Sequence, residues 1–175
     1  MDRESKKLLG LLEQAEVEDA LKHAEAMKDK RNASEILSDY AVALIRHHYD
    51  YETGEQLLKK AVAINPKDAE AFFNLGVMYT DRGLLLKQRE KLSEAEKAYI
   101  QAVKLKPDYM EAHFNLALFY HFLGRDVEAD LEYAIFAELS DDKEITEGLK
   151  RILGKKLKKT ELRKILEETA SAEVR

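Results

Sequence analysis

Two nine-residue stretches constrain this chain more than anything else in it. Residues 71–79 read AFFNLGVMY and residues 112–120 read AHFNLALFY, with Ala, Phe, Asn, Leu and Tyr in register. A second matched pair follows them, SEAEKAYIQAVKLKPD at 93–108 and VEADLEYAIFAELSDD at 127–142. Apolar residues three and four positions apart make each part a helix with one buried face. A unit of this kind cannot bury that face alone, so recurrence means stacking of like units. With seven Gly and two Pro in 175 residues, the chain has few breakers, which favours long helices joined briefly.

The copies quote a known pattern. Phe72, Leu75, Gly76 and Tyr79 in the first part, then Ala95, Tyr99, Ala102 and Pro107 in the second, resemble the tetratricopeptide repeat. His113, Leu116, Ala117, Tyr120, Ala129 and Tyr133 repeat the set. That copy departs at Phe136, where a small Ala is usual, and at Asp141, where the closing Pro would stand. Upstream, Gly54, Leu58, Ala61 and Pro66 match a second helix, and NASEILSDYAVALIRHH at 32–48 keeps the periodicity of a first one. The resemblance implies an all-α fold of helix-turn-helix repeats stacked as a right-handed α-solenoid or superhelix with C-terminal capping helices. The expected partition is a degenerate repeat or helical cap over 1–34, repeats over 35–68, 69–109 and 110–142, and a cap with a basic segment and terminal helix over 143–175. Asn32 with Glu35, Thr53 with Gln56 and Ser93 with Glu96 have the spacing of capping boxes at helix starts.

The two copies start 41 residues apart (71 to 112), against about 34 for the standard unit. The excess falls between Gly83, where a helix is expected to stop, and Lys91. About seven residues are nearly two helical turns, and Leu85, Leu92 and Tyr99 stand seven apart. The spacing predicts that both helices grow by roughly a turn and meet near 87–92. If Ser93 caps the second helix instead, the first alone overshoots. Leu84, Leu85 and Leu86 then project as an apolar knob, a candidate self-association surface for a homodimer, whereas apolar periodicity by itself favours their packing on the neighbouring helix.

Composition and motifs exclude most chemistry. Without Cys there are no disulfides, thiolates or Cys-based zinc sites. None of the five His pairs with another at the i, i+4 spacing of a zinc helix, and adjacent His47 and His48 diverge around a helix. His113 takes a packing position. Neither a glycine-rich phosphate loop nor a G-x-S-x-G turn is present. No catalytic residue, metal site or cofactor is expected, so a non-enzymatic reading follows. A net charge of −5 favours neither nucleic acid nor membrane. The N-terminal stretch lacks the apolar run of a signal or a membrane span, so a soluble, cytoplasmic protein is the expectation.

The resemblance implies a protein–protein interaction scaffold or adaptor, in which first helices line a concave groove for an extended peptide or a helix. Carried across by phase, the groove set is Phe73, Asn74, Val77 and Thr80 from one unit and Phe114, Asn115, Leu118 and His121 from the next. Arg46 and His47 come from the weaker upstream unit. Glu111, Phe73 and Val77 stand where a carboxylate-clamp subclass needs polar or cationic residues, so an apolar or aromatic-bearing segment is the expected ligand. Two alternatives use the C-terminus. Lys155, Lys156, Lys158 and Lys159 head a basic cluster that suits an acidic partner or a phosphate backbone, though no aromatic interleaves it to stack on bases. A terminal helix with Leu162, Ile165 and Leu166 on one face could instead fill the groove from within.

Overall fold

A computed structural model of the chain describes residues 1–144 and 147. The chain divides into two compact units, Met1–Leu105 and Lys106–Arg175. The first holds α1 (Arg3–Glu13), α2 (Val17–Ala26), α3 (Lys30–His48), α4 (Tyr51–Ile64), α5 (Ala69–Leu84) and α6 (Lys91–Leu105). The second holds α7 (Met110–Phe122) and α8 (Asp126–Leu139). All of the regular structure among the described residues is helical. Of the capping helix expected over 141–154, residues 141–144 and 147 are described, with Lys143, Glu144 and Glu147 helical. The rest of it, the terminal helix and the basic cluster lie outside the described residues.

In the first unit the helices pack as the hairpins α1/α2, α3/α4 and α5/α6, and α3 lies against both α1 and α5. Small residues bring the helix axes close. Ala20, Ala24, Ala33, Ala41, Ala61, Ala71, Ala95 and Ala102 are fully buried, interleaved with Leu37, Leu57, Leu58 and Met78. Glycine takes the closest crossings. A Cβ on Gly76 of α5 would stand 2.6 Å from the Tyr99 ring of α6, and one on Gly54 of α4 2.6 Å from Ile45 of α3.

Aspartates, not the residues expected, start the helices. Asp2, Asp29, Asp50 and Asp68 accept from the backbone N–H of Ser5, Asn32, Thr53 and Ala71 at 2.8–3.0 Å. Asn32 and Thr53 therefore sit three residues inside their helices, and Ser93 lies inside α6, which begins at Lys91. The capping-box spacing chose the wrong residue because an Asp three positions earlier offers a charged acceptor to the same free N–H groups.

The lengthened region also differs from expectation. Only the first helix overshoots: α5 runs 16 residues to α7's 13, while α6 starts four residues before Ala95 much as α8 starts three before Ala129. Residues 85–90 form the connection. Gly83 does not end the helix. It lies buried within α5's last turn, where a Cβ would overlap the Leu92 side chain of α6. Gly76 with Tyr99 and Gly83 with Leu92 thus make two layers of the same glycine-to-large contact, seven residues apart on each helix. The leucine spacing was real, but it served contact across the hairpin rather than a continued helix through Leu85.

Candidate partner-binding faces

On α5, Phe73, Asn74, Val77 and Thr80 are all half-buried. Phe73 tilts against Tyr99, with ring centroids 6.2 Å apart. The Thr80 hydroxyl donates to the Gly76 carbonyl at 2.8 Å and lies 3.3 Å from the Tyr99 hydroxyl. Asn74 donates its amide to Ser38 of α3 at 3.0 Å. It is therefore a brace that sets α5 against α3, a role that the sequence concealed because Ser38 reads as a core position. Arg46 and His47 are exposed in the last turn of α3.

Two carboxylates accompany this face. Asp81, one helical turn beyond Val77, is raised by burial alone. Asp39 on α3 is raised by burial and then by the like charges of Glu35 and Asp68. The second unit presents its own face. Phe114 is exposed and packs edgewise on Tyr133 at 6.0 Å and against Phe136 at 5.0 Å. The irregular Phe136 thus fills space beside Phe114. Leu118 is half-buried and His121 exposed, with His121 Nδ1 3.4 Å from Asp126. Asn115 donates to the Glu111 carbonyl of its own helix at 2.8 Å.

Histidine chemistry resolves into packing. His113 is 2% exposed, with Nδ1 2.6 Å from Glu132 and Nε2 3.0 Å from the Pro107 carbonyl. Both ring nitrogens therefore have an oxygen partner inside the second unit. His47 and His48 are exposed at the end of α3. Among the described residues, no three His, Asp or Glu side chains gather as metal ligands, and no helix is long and apolar enough to cross a membrane.

Leu84 is half-buried, while Leu85 is 70% and Leu86 47% exposed. The connection that carries them is pinned at both ends. Leu85 and Leu86 donate their N–H groups to the Asp81 carbonyl, and Gln88 donates to the Arg82 carbonyl at 3.0 Å. The Arg82 side chain donates back to Gln88 Oε1 at 2.8 Å. Glu55 of α4, 13% exposed, gathers Lys59 at 2.6 Å, Lys91 at 3.2 Å and the Arg82 guanidinium, and accepts from Tyr79 at 3.2 Å. Burial pushes the Glu55 carboxyl up, but hydrogen bonds from Lys59 and Lys91 with their charges outweigh it and leave it lowered. This network escaped the sequence because Glu55 and Lys91 lie 36 residues apart on helices that each look merely charged.

Paired helices with small-residue crossings, presenting half-buried apolar residues on their first members, define a helical-repeat protein. A family model described as "TPR repeat" matches residues 83–124, and one described as "Tetratricopeptide repeat" matches residues 57–97. Known structures agree. The type III secretion translocator chaperone SycD of Yersinia enterocolitica is 17% identical, covering 70% of this chain and 89% of that one with a TM-score of 0.55. TTC0263, a thermophilic TPR protein of Thermus thermophilus, is 27% identical, covering 83% and 77% with a TM-score of 0.53. YrrB, a TPR protein with an unusual peptide-binding site, is 16% identical, covering 81% and 69% with a TM-score of 0.55. Comparison with curated protein sequences gave no match. The chain therefore carries tetratricopeptide repeats over residues 57–124 and shares the fold of solved TPR proteins; repeats of this kind are protein–protein interaction modules.

Proposed function

We propose that this chain is a non-enzymatic scaffold that binds an apolar or aromatic-bearing segment of another protein, an extended peptide or a helix, on the faces of its first helices. Phe73 and Val77 on α5 are the anchors in one unit, with Thr80 at the edge. Phe114 and Leu118 on α7 are the anchors in the other, with His121 at the edge. Arg46 supplies charge, and His47 a polar ring, at the end of α3. The observation that carries the reading is the recurrence of one pattern: in both copies the same helical phase leaves an aromatic and an aliphatic residue partly exposed. Such side chains bind by being desolvated in contact with a partner's own apolar residues. Asn74 and Asn115 are engaged with Ser38 and with Glu111, so they contribute position rather than recognition.

A photo-crosslinking residue placed at Val77, at Leu118 and at the exposed Lys97 of α6 tests the reading. Adducts to the same partner protein from Val77 and from Leu118, absent from Lys97, are the expected result. Equal labelling from all three positions would remove the first-helix faces from the account.

A further inference from the structure

Two apolar patches stand outside the first-helix faces. One is the connection after α5, where Leu85 and Leu86 are exposed beside Lys87 and Arg89. Those two cations are exposed and enter no ion pair among the described residues. The backbone and side-chain bonds to Asp81, Arg82 and Gln88 hold this connection in one shape, and Glu55 clasps Arg82 and Lys91 at its two ends. An ordered apolar knob loses little freedom on docking, unlike a mobile loop. The other patch lies at the α7–α8 turn, where Phe122 is 66%, Leu123 37% and Val127 82% exposed. It opens onto the start of α8, where Asp126 stands beside His121, Glu128 accepts from Arg125 at 2.8 Å, and no cation lies within the helix itself.

Each patch has what the other lacks. The knob is apolar with Lys87 and Arg89 beside it and Glu90 after them, the turn is apolar with Asp126 beside it, and both are exposed among the described residues. We propose that Leu85 and Leu86 of one copy dock on Phe122, Leu123 and Val127 of a second copy, with Lys87 and Arg89 set against Asp126 and the acidic face of α8. The contact joins two different surfaces, so it is heterologous. Such contacts propagate head to tail unless the copies exchange them reciprocally and close. Five side chains make a contact at the small end of the interface range, so the association is weak and concentration-dependent. Opposed charges add salt sensitivity. This self-association uses the end of α7 and the start of α8 rather than the partner-binding anchors Phe73, Val77, Phe114 and Leu118.

Sedimentation velocity on the full chain over a concentration series tests it. Wild type is expected to associate, and less so at high salt. Leu85→Glu, Val127→Glu, the pair Lys87→Glu/Arg89→Glu and the pair Asp126→Lys/Glu128→Lys are each expected to weaken association by about tenfold or more. The sites are exposed except Glu128, which is half-buried beside Arg125, and unchanged circular dichroism verifies the fold. The decisive arm is the mixture of the two charge-reversed pairs, each monomeric alone, which is expected to restore association. The proposal is overturned by a wild type that stays monomeric throughout, by variants that associate like wild type, or by a mixture that fails to recover.

Discussion

The α5/α6 and α7/α8 hairpins start from almost the same nine residues and solve the same packing problem differently. In α5/α6 the second helix closes on glycine. Gly76 admits the Tyr99 ring, Gly83 admits Leu92, and Tyr99 is 2% exposed. In α7/α8 the glycine is Ala117 and Tyr133 is only half-buried. There the aromatic contact moves to Phe136 against Phe114. Where Phe72 stands half-buried in one copy, the other buries His113 between Glu132 and the Pro107 carbonyl. A repeat motif therefore specifies where a large side chain must meet a small one, and leaves open which helix supplies which.

The largest contrast is expected at the matched tyrosines. Tyr99→Ala should cost about 3–5 kcal/mol, because a fully buried aromatic leaves a cavity that Gly76 cannot fill. Tyr133→Ala should cost less than that, since Tyr133 is only half-buried. Urea unfolding of the two variants measures this, and equal losses would break the distinction between the hairpins.

Next comes the histidine. His113→Phe restores the apolar choice of the other copy but leaves Glu132 and the Pro107 carbonyl without their donor, at a cost of about 2 kcal/mol. Phe72→His, at a half-buried site, should cost less. Thermal unfolding of both, with His113→Phe/Glu132→Leu as the rescue, checks whether the polar partners or the shape carry the loss.

The linkers give a smaller, pH-dependent difference. Glu55→Gln should lose about 1–2 kcal/mol at neutral pH, because three cations lose a charged acceptor. The Glu55 carboxyl is lowered from its ordinary value of 4.5 in the folded chain. Its contribution is therefore complete above that value and fades as pH falls through the lower folded value. The gap between wild type and Glu55→Gln should be constant near neutrality and shrink below about pH 4.5. A gap that widens in acid would contradict the clasp. Smallest of all is the turn itself. Gly124, at φ +72°, closes the short α7–α8 turn, whereas Lys87 holds φ +59° in the longer connection. Gly124→Ala should cost about 1 kcal/mol and Lys87→Gly should be neutral or slightly stabilising, both read by thermal unfolding.

The helices were legible because their apolar spacing is imposed by the same close packing that the repeat requires. Leu58 and Ala61 mark α4 as Ala95 and Ala102 mark α6. The ends were less legible. Asp29 and Asp50 read as ordinary surface charges, while the capping pattern pointed three residues downstream. The stretch after Gly83 misled for a related reason: a leucine every seven residues suits a continuous helix and equally suits two helices touching through glycines. On the candidate faces, Phe73, Val77, Phe114 and Leu118 could be placed by phase alone. The engagement of Asn74 with Ser38 could not, since it depends on the register between α3 and α5.

Hydrogen exchange of the full chain with and without its captured partner bears most directly on the central claim. Partner binding on the first-helix faces predicts slowed exchange along α3 and α5 around Phe73–Thr80 and along α7 around Phe114–His121, with α4, α6 and α8 little changed. Protection confined to α4, α6 and α8 would contradict it.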